Sequence, residues 1–200
     1  TPFIKSNSTG AEVTNNVNDF IKSLDSDGFT LGADSYFTDV NKNSSTYASW
    51  NWKANGTGSA NTDGSINSTV SANTTSGFSI VSYTGGGTQD LTVGHGLGTT
   101  PDMIIVKNRS IVEEWRVWHS SLSGSTYKLS LNSTGAEDSS STVFNGQSST
   151  TFTVGTDPSV NGNGNSIIAY CFADVKGYSK FGSYVGNGSN DGPFIYTGFK

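Results

Sequence analysis

The sequence of 200 residues contains a single cysteine, Cys171, and only four prolines. One cysteine cannot form a disulfide within the chain, so the fold must be held by noncovalent packing. Small secreted domains that rely on several disulfides are therefore excluded as a class. The length fits one large domain or two small ones.

Residues that favour helices are also scarce, with only seven Leu and four Glu, whereas Ser, Thr, Asn and Gly make up half of the chain. Straight-chain residues stabilise helices, and Gly, Asn and Ser favour turns. This composition argues against a helical bundle and against an α/β fold with long crossover helices. Aromatic residues form 12% of the sequence, and together with Ile and Val they can fill a β-sheet core.

Positive charge is low, because 11 Lys and Arg residues stand against 16 Asp and Glu residues and the net charge is -5. Nucleic-acid binding depends on clustered Lys and Arg, so we expect no nucleic-acid partner. No apolar run approaches the ~18 residues of a membrane-spanning helix, so we expect no membrane insertion.

Three pieces of the sequence occur twice in the same order. Residues 7–12 and 132–137 both read Asn-Ser-Thr-Gly-Ala-Glu. The other two pairs are 28–32 with 151–155 and 47–52 with 167–172. Ordered matches of this kind indicate an internal repeat, so we predict two related units.

The repeat predicts where the units begin and end. The predicted parts are the back half of a first unit (1–54), a Gly/Ser/Thr/Asn-rich flexible connection (55–76), a complete second unit (77–191), and the start of a third unit or a closing strand (192–200). Two interpretations of the incomplete first unit remain open. We favour a segment of a longer protein, and the alternative is that the last strand closes the first unit's sheet.

Short apolar segments separated by turn residues predict the strands. Asp102–Asn108 is β-branched and follows Pro101, and Trp115–His119 comes after a short polar turn, which predicts a hairpin. Tyr127–Leu131 alternates apolar and polar residues, as a half-buried strand does. Further strands are expected at 77–84, 91–93, 151–154, 166–172, 181–185 and 193–198.

This spacing of strands and turns is typical of an antiparallel sandwich or a jelly roll. We therefore predict an all-β protein, with an antiparallel β-sandwich or jelly-roll-like fold built from two related units. Only residues 16–24 suggest a helix.

No motif in the sequence predicts catalysis or cofactor binding. Gly-x-Ser-x-Gly is absent, and Glu113 and Glu114 are adjacent, so on a strand they would face opposite sides and could not flank one glycosidic bond. The glycines of Gly94–Gly98 precede a Thr-Thr-Pro turn instead of a helix, which predicts a loop. We expect no enzyme, no catalytic residue and no cofactor.

Metal binding is not predicted either. Asp25–Gly28 opens like a calcium loop, but no Glu stands at the twelfth position, so a turn between strands is the preferred interpretation. His95 and His119 have no Cys or acidic residue nearby at ligand spacing.

Two tryptophan pairs could stack on sugar rings. Trp50 and Trp52 align with Tyr170 and Phe172 in the repeat, and we expect this first pair to belong to a shared core wall. For Trp115 and Trp118 we also favour a core position, and glycan contact remains the alternative.

Several runs together resemble a repeated domain in large structural proteins of marine tailed bacteriophages, proteins that are often labelled tail fibre or virion protein. The resemblance covers nearly the whole chain. The runs that carry it are 77–85 (GFSIVSYTG), 93–98 (VGHGLG), 101–109 (PDMIIVKNR), 132–137 (NSTGAE) and 177–184 (GYSKFGSY).

The resemblance implies a β-rich, repetitive virion component and no catalytic residue. We therefore expect a phage structural protein at the particle surface, in a tail fibre, a related appendage or a head decoration, with a possible part in host attachment. Its partners would be copies of itself and other virion proteins, and host-surface glycan is a further candidate. The alternatives are a carbohydrate-binding β-sandwich module and, third, a polysaccharide depolymerase.

Overall fold

A computed structural model describes residues 2–14, 20–33 and 40–199 of the chain. Its strands are β1 (Ile21–Leu24), β2 (Phe29–Leu31), β3 (Ser59–Asn61), β4 (Ser68–Asn73), β5 (Phe78–Thr84), β6 (Leu91–Gly94), β7 (Met103–Asn108), β8 (Arg116–His119), β9 (Tyr127–Ser130), β10 (Asp138–Ser139), β11 (Phe144–Gln147), β12 (Thr151–Val154) and β13 (Ser166–Phe172). One helical turn, α1, covers Pro158–Asn161.

The larger sheet has eight strands in the order β10-β9-β8-β7-β13-β5-β4-β3, and every neighbouring pair is antiparallel. The strand β13 lies in the middle of it, between β7 and β5. Its sequence, SIIAYCF, is rich in apolar and β-branched residues, as a strand covered on both faces requires. The last strand of the sequence therefore completes the centre of the sheet.

A smaller sheet of three strands, β11-β12-β6, packs on one face of the larger one. The core between them joins Val81, Ile104 and Ile167 of the larger sheet to Val93 and Phe152 of the smaller sheet, and all five side chains are fully buried. Burial of each such side chain stabilises the fold by about 1.5–3 kcal/mol. The predicted all-β antiparallel sandwich is confirmed.

The turn α1 closes one end of this core through buried hydrogen bonds. Asn161 donates from Nδ2 to the carbonyls of Thr88 (2.7 Å) and Gly155 (2.6 Å), and its Oδ1 accepts from the Gly86 N–H (2.8 Å). The chain passes so close to Gly85 that a Cβ there would lie 2.3 Å from the Gly162 carbonyl oxygen, which only glycine avoids. Buried polar groups at this end are thus paired.

Several local predictions are confirmed. The strands β7 and β8 form the expected hairpin, in which Ile105 pairs with Val117. Residues 25–28 form the turn that joins β1 to β2, closed by an Asp25 N–H bond to the Gly28 carbonyl (2.8 Å). The strands expected at 77–84, 91–93, 127–131, 151–154 and 166–172 are also present, within one or two residues at each end.

The prediction of a flexible connection at 55–76 is wrong. This stretch contains β3 and β4, and β4 pairs with β5 along its whole length. Ser68 and Val70 are buried because alternate residues of β4 face the smaller sheet. Small polar residues therefore build the edge of the sandwich.

Two further expectations are corrected. The strands predicted at 181–185 and 193–198 are absent, and residues 181–199 contain no regular secondary structure. Within the predicted helix at 16–24, residues 16–19 lie outside the described residues and Ile21–Leu24 is the strand β1. The short β1–β2 hairpin accounts for the alternating exposure of its side chains.

Candidate interaction surfaces

The outer face of the larger sheet, opposite the core, is crossed by the first residues of the chain. Ile105 of β7 pairs with Val117 of β8 and with Tyr170 of β13, so their side chains share this face. Residues 2–13, which we call the strap, lie against it and form a loop closed by two backbone hydrogen bonds between Phe3 and Val13 (3.2 and 3.0 Å). We call the surface that holds the strap the docking groove, and it is formed by Lys107 of β7 and by Arg109, Glu113 and Trp115 of the segment between β7 and β8.

Lys107 anchors the middle of the strap from a fully buried position. Its Nζ donates to the carbonyls of Thr9 (3.1 Å), Asn108 (3.0 Å) and Glu113 (2.9 Å), which uses all three of its donors. Burial lowers the pKa of this amine, and the negative charge of Glu113 opposes the shift. The Glu113 N–H also donates to the Thr9 carbonyl (3.0 Å). One strap carbonyl thus receives two hydrogen bonds from the groove.

Arg109 fixes the end of the strap through a bidentate ion pair. Its Nε and Nη2 donate to the two carboxylate oxygens of Glu12 at 2.6 and 2.9 Å. The Glu12 N–H also donates to the Arg109 carbonyl (3.0 Å), so backbone and side chain hold the same residue. The hydrogen bond to Glu12 raises the pKa of the Arg109 guanidinium. Such paired geometry gives specificity for a carboxylate as well as attraction.

The two tryptophans considered for glycan contact are both enclosed. Trp115 is 6% exposed, stacks on Tyr170 with ring centroids 6.5 Å apart, and donates from Nε1 to the Lys5 carbonyl of the strap (3.0 Å). Trp118 is 8% exposed, belongs to the core, and donates to the Gly124 carbonyl (3.3 Å). Stacking on a sugar needs a ring face in solvent. The burial of both rings therefore favours the core interpretation of this pair over glycan contact.

The other pair is exposed, so the prediction that Trp50 and Trp52 belong to a shared core wall is wrong. Trp50 is 76% exposed and Trp52 is 52% exposed, and the neighbouring Tyr47 is exposed as well. Trp52 contacts the end of the larger sheet through Phe172 and Phe78, with ring centroids 5.9 and 6.4 Å away. Residues 47–52 belong to no strand, so they are not part of either sheet. We call these three residues the aromatic patch.

His95 is fully buried and has a structural role. Its Nδ1 accepts from the Leu97 N–H (3.2 Å), and its Nε2 lies 3.2 Å from the Ser148 carbonyl, an arrangement that needs the neutral ring with a proton on Nε2. Burial lowers the pKa of this imidazole, and the hydrogen bond to Ser148 opposes the shift. The Gly94–Gly98 segment that carries His95 runs from the end of β6 into a loop, as predicted.

Arg116 organises a second polar cluster between β8 and α1. It pairs with Glu114 and donates from Nε to Ser159 (3.1 Å) and from Nη1 to Ser130 (3.0 Å). The cluster contains no imidazole or thiolate to activate a serine hydroxyl. Cys171 is buried, and burial raises the pKa of its thiol to about 12, so it is not a reactive nucleophile. Within the described residues, no three Cys, His, Asp or Glu side chains gather as metal ligands would.

One family model matches the chain, a domain of unknown function (DUF7483), over residues 1–200. The chain belongs to this family. No curated protein and no solved structure matches the sequence. Family membership therefore supplies no activity, and the interpretation of the surfaces rests on their own geometry.

The docking groove was missed by sequence reasoning, although part of its signal was present. Lys107 lies in β7 and Arg109 follows the last residue of that strand, and a spacing of two residues in extended chain places both on one face. The strap was not predictable, because Thr9 and Glu12 lie almost 100 residues away in the sequence.

None of the helices in the described ranges is long and apolar enough to cross a bilayer.

Proposed function

We propose that this chain is a structural protein of a tailed bacteriophage, exposed on the particle surface in a tail fibre, a related appendage or a head decoration. The observation that carries the proposal is the strap. One copy of the repeated NSTGAE sequence is seated on the sandwich, and contacts between repeated units are the means by which extended arrays are built. The resemblance to repeated domains of phage structural proteins points to the same role.

The chemistry of the described residues agrees with such a role. The sandwich is held by an aromatic and aliphatic core, and its one thiol is buried with a raised pKa, which disfavours oxidation. The Lys107 Nζ donates all three of its hydrogen bonds to backbone carbonyls. The proposal assigns catalysis to no residue. Its partners are copies of this unit and other virion proteins.

Immunogold electron microscopy of purified particles tests the proposal. Antibodies raised against the folded chain should label intact virions at a fixed position, either along a tail appendage or over the head. Antibodies preabsorbed with the purified chain provide the control. Labelling that is absent from intact particles, while the same antibodies detect the chain in the infected lysate, would contradict the proposal.

Carbohydrate binding is the second candidate, and the aromatic patch favours it. Two indole rings and a phenol exposed within six residues offer apolar faces of the kind that stack on sugars. A glycan array should show binding that is lost in Trp50→Ala and kept in Tyr184→Ala, which removes an exposed aromatic ring elsewhere. Equal signals for the two variants, or none for the unaltered chain, would remove this candidate. The depolymerase alternative gains no support from the described residues.

A further inference from the structure

The two NSTGAE copies adopt the same local turn. In the strap the Gly10 N–H donates to Ser8 Oγ (3.1 Å), and in the loop between β9 and β10 the Gly135 N–H donates to Ser133 Oγ (3.2 Å). Thr9 and Glu12 of the strap correspond to Thr134 and Glu137 of the loop. The loop therefore has the side chains that the docking groove recognises, on a turn of the same local form.

The surroundings of the two copies differ. Residues 8–12 of the strap are half-buried against the groove, whereas residues 133–136 of the loop are exposed. The Glu137 carboxylate accepts from the N–H and hydroxyl of Ser123 (3.0 and 2.6 Å), and these bonds lower its pKa, so it is ionised in solution. A charged carboxylate of this kind is the group that Arg109 binds in the strap.

We propose that the loop 132–137 is a docking element that binds the docking groove of another copy of this unit, as residues 7–12 do within this chain. In that complex the Glu137 carboxylate leaves Ser123 and pairs with Arg109 of the other copy. The Thr134 carbonyl accepts from the Lys107 Nζ and from the Glu113 N–H. The occupant is a second copy of the same unit because the groove's observed ligand is a sequence that each chain contains twice.

The contact is heterologous, since the loop of one copy meets the groove of the next. Such contacts extend into rows of units instead of stopping at a closed pair. Within one chain the strap competes for the groove with the advantage of an intramolecular ligand. Association of separate chains therefore increases when the strap is released.

Cysteine pairing in the full chain tests this contact. The backbone bond from Glu113 to the Thr9 carbonyl brings these two residues side by side, so Thr9→Cys with Glu113→Cys should form a disulfide within one chain and serves as the geometric control. The test mixes a chain carrying Glu12→Gln and Glu113→Cys, in which the strap is bound more weakly, with a chain carrying Thr134→Cys, and it leaves the proposed ion pair between the copies intact. The buried Cys171 thiol does not compete, because its pKa is about 12.

In a glutathione redox buffer, the mixture should give ~10-fold more disulfide-linked heterodimer than a mixture of the same receiving chain with Asp191→Cys, because docking raises the local thiol concentration. Asp191 is exposed and lies outside both NSTGAE copies. Equal yields from the two mixtures would overturn the proposal, and so would failure of the 9–113 control in a folded chain. The test uses purified protein alone, so its failure and the absence of the chain from virions are separate results.

Discussion

The strap and the loop 132–137 carry the same six residues and the same Ser–Gly hydrogen bond, yet one is held against a sheet and the other is in solvent. The local turn follows from the residues themselves, because a serine hydroxyl two positions before a glycine can accept its N–H. The difference in burial comes from what lies opposite, namely Lys107 and Arg109 for the strap. The turn is therefore set by the six residues themselves, and the burial is set by the residues that surround them.

The other two pieces of the repeat differ in whether both of their copies form a strand. Residues 28–32 and 151–155 both contain a strand, β2 in one case and β12 in the other. Residues 167–172 lie in the central strand β13, whereas residues 47–52 belong to no strand. The division of the chain into two related units stays a prediction, and the predicted unit boundaries stay predictions with it.

The largest expected effect is at Lys107, which distinguishes the strap from the loop most sharply. Lys107→Met removes the three hydrogen bonds that the amine donates to backbone carbonyls, so the free energy of unfolding should fall by about 3 kcal/mol. Urea denaturation gives this value, and limited proteolysis should show cleavage within residues 2–13 before cleavage within the sandwich. The control is Lys176→Met, an exposed lysine for which little change is expected. A strap that stays protected in Lys107→Met would contradict the assigned anchor.

The paired glutamates provide the next test. Glu12→Gln breaks a bidentate ion pair whose carboxylate is largely buried, and it should reduce the free energy of unfolding by about 1–2 kcal/mol. Glu137→Gln changes the same residue type in the exposed copy, and we expect a smaller change. Thermal unfolding of both variants side by side gives the difference. Equal losses of stability in the two variants would show that the contact of Glu12 with the docking groove adds no more stability than the contact of Glu137 with Ser123.

The stability of the sandwich should fall in mild acid because of His95. Burial lowers its pKa in the folded state below 6.5, so in the window between the two pKa values the unfolded chain binds more protons. The contribution is complete above about pH 6.5 and is lost as the pH falls towards the folded pKa, by about 1.4 kcal/mol for each unit of difference. Melting temperatures at pH 7.5 and 5.5 measure this loss, and His95→Gln should flatten the profile. An unchanged profile in that variant would exclude His95 as its source.

The smallest expected effect concerns the shared turn. Ser8→Ala and Ser133→Ala each remove one local hydrogen bond to a glycine N–H, and each should cost about 0.5 kcal/mol or less. Chemical denaturation of the two variants should give values that agree within error. A clearly larger loss for one copy would mean that its hydroxyl supports the tertiary contact as well as the turn.

Much of the fold was predictable because its signals are local. The β7–β8 hairpin and the central strand β13 are compact runs of β-branched and aromatic residues bounded by turn residues. The strand β4 was missed because its inward-facing residues, Ser68, Val70 and Ala72, are small and give only a weak alternating pattern. The exposed Trp50 and Trp52 were misjudged because aromatic character indicates burial only where neighbouring strands exist to cover the rings.

The candidate surfaces were harder to predict than the strands, for a related reason. The core position of Trp115 and Trp118 could be favoured from sequence, but the bond from Trp115 to Lys5 depends on a segment more than 100 residues earlier. Lys107 is fully buried, whereas its residue type alone predicts an exposed side chain. Contacts over such separations leave no pattern in a single sequence.

Short antiparallel strands without an internal disulfide follow from the amino-acid composition, since scarce helix formers, abundant turn residues and a single cysteine allow little else. The turn common to both NSTGAE copies follows from their shared residues. Which copy is held against the sheet and which tryptophans are exposed depend on the folded chain. Burial and pairing depend on the residues that the folded chain brings opposite each other, and these lie far apart in the sequence.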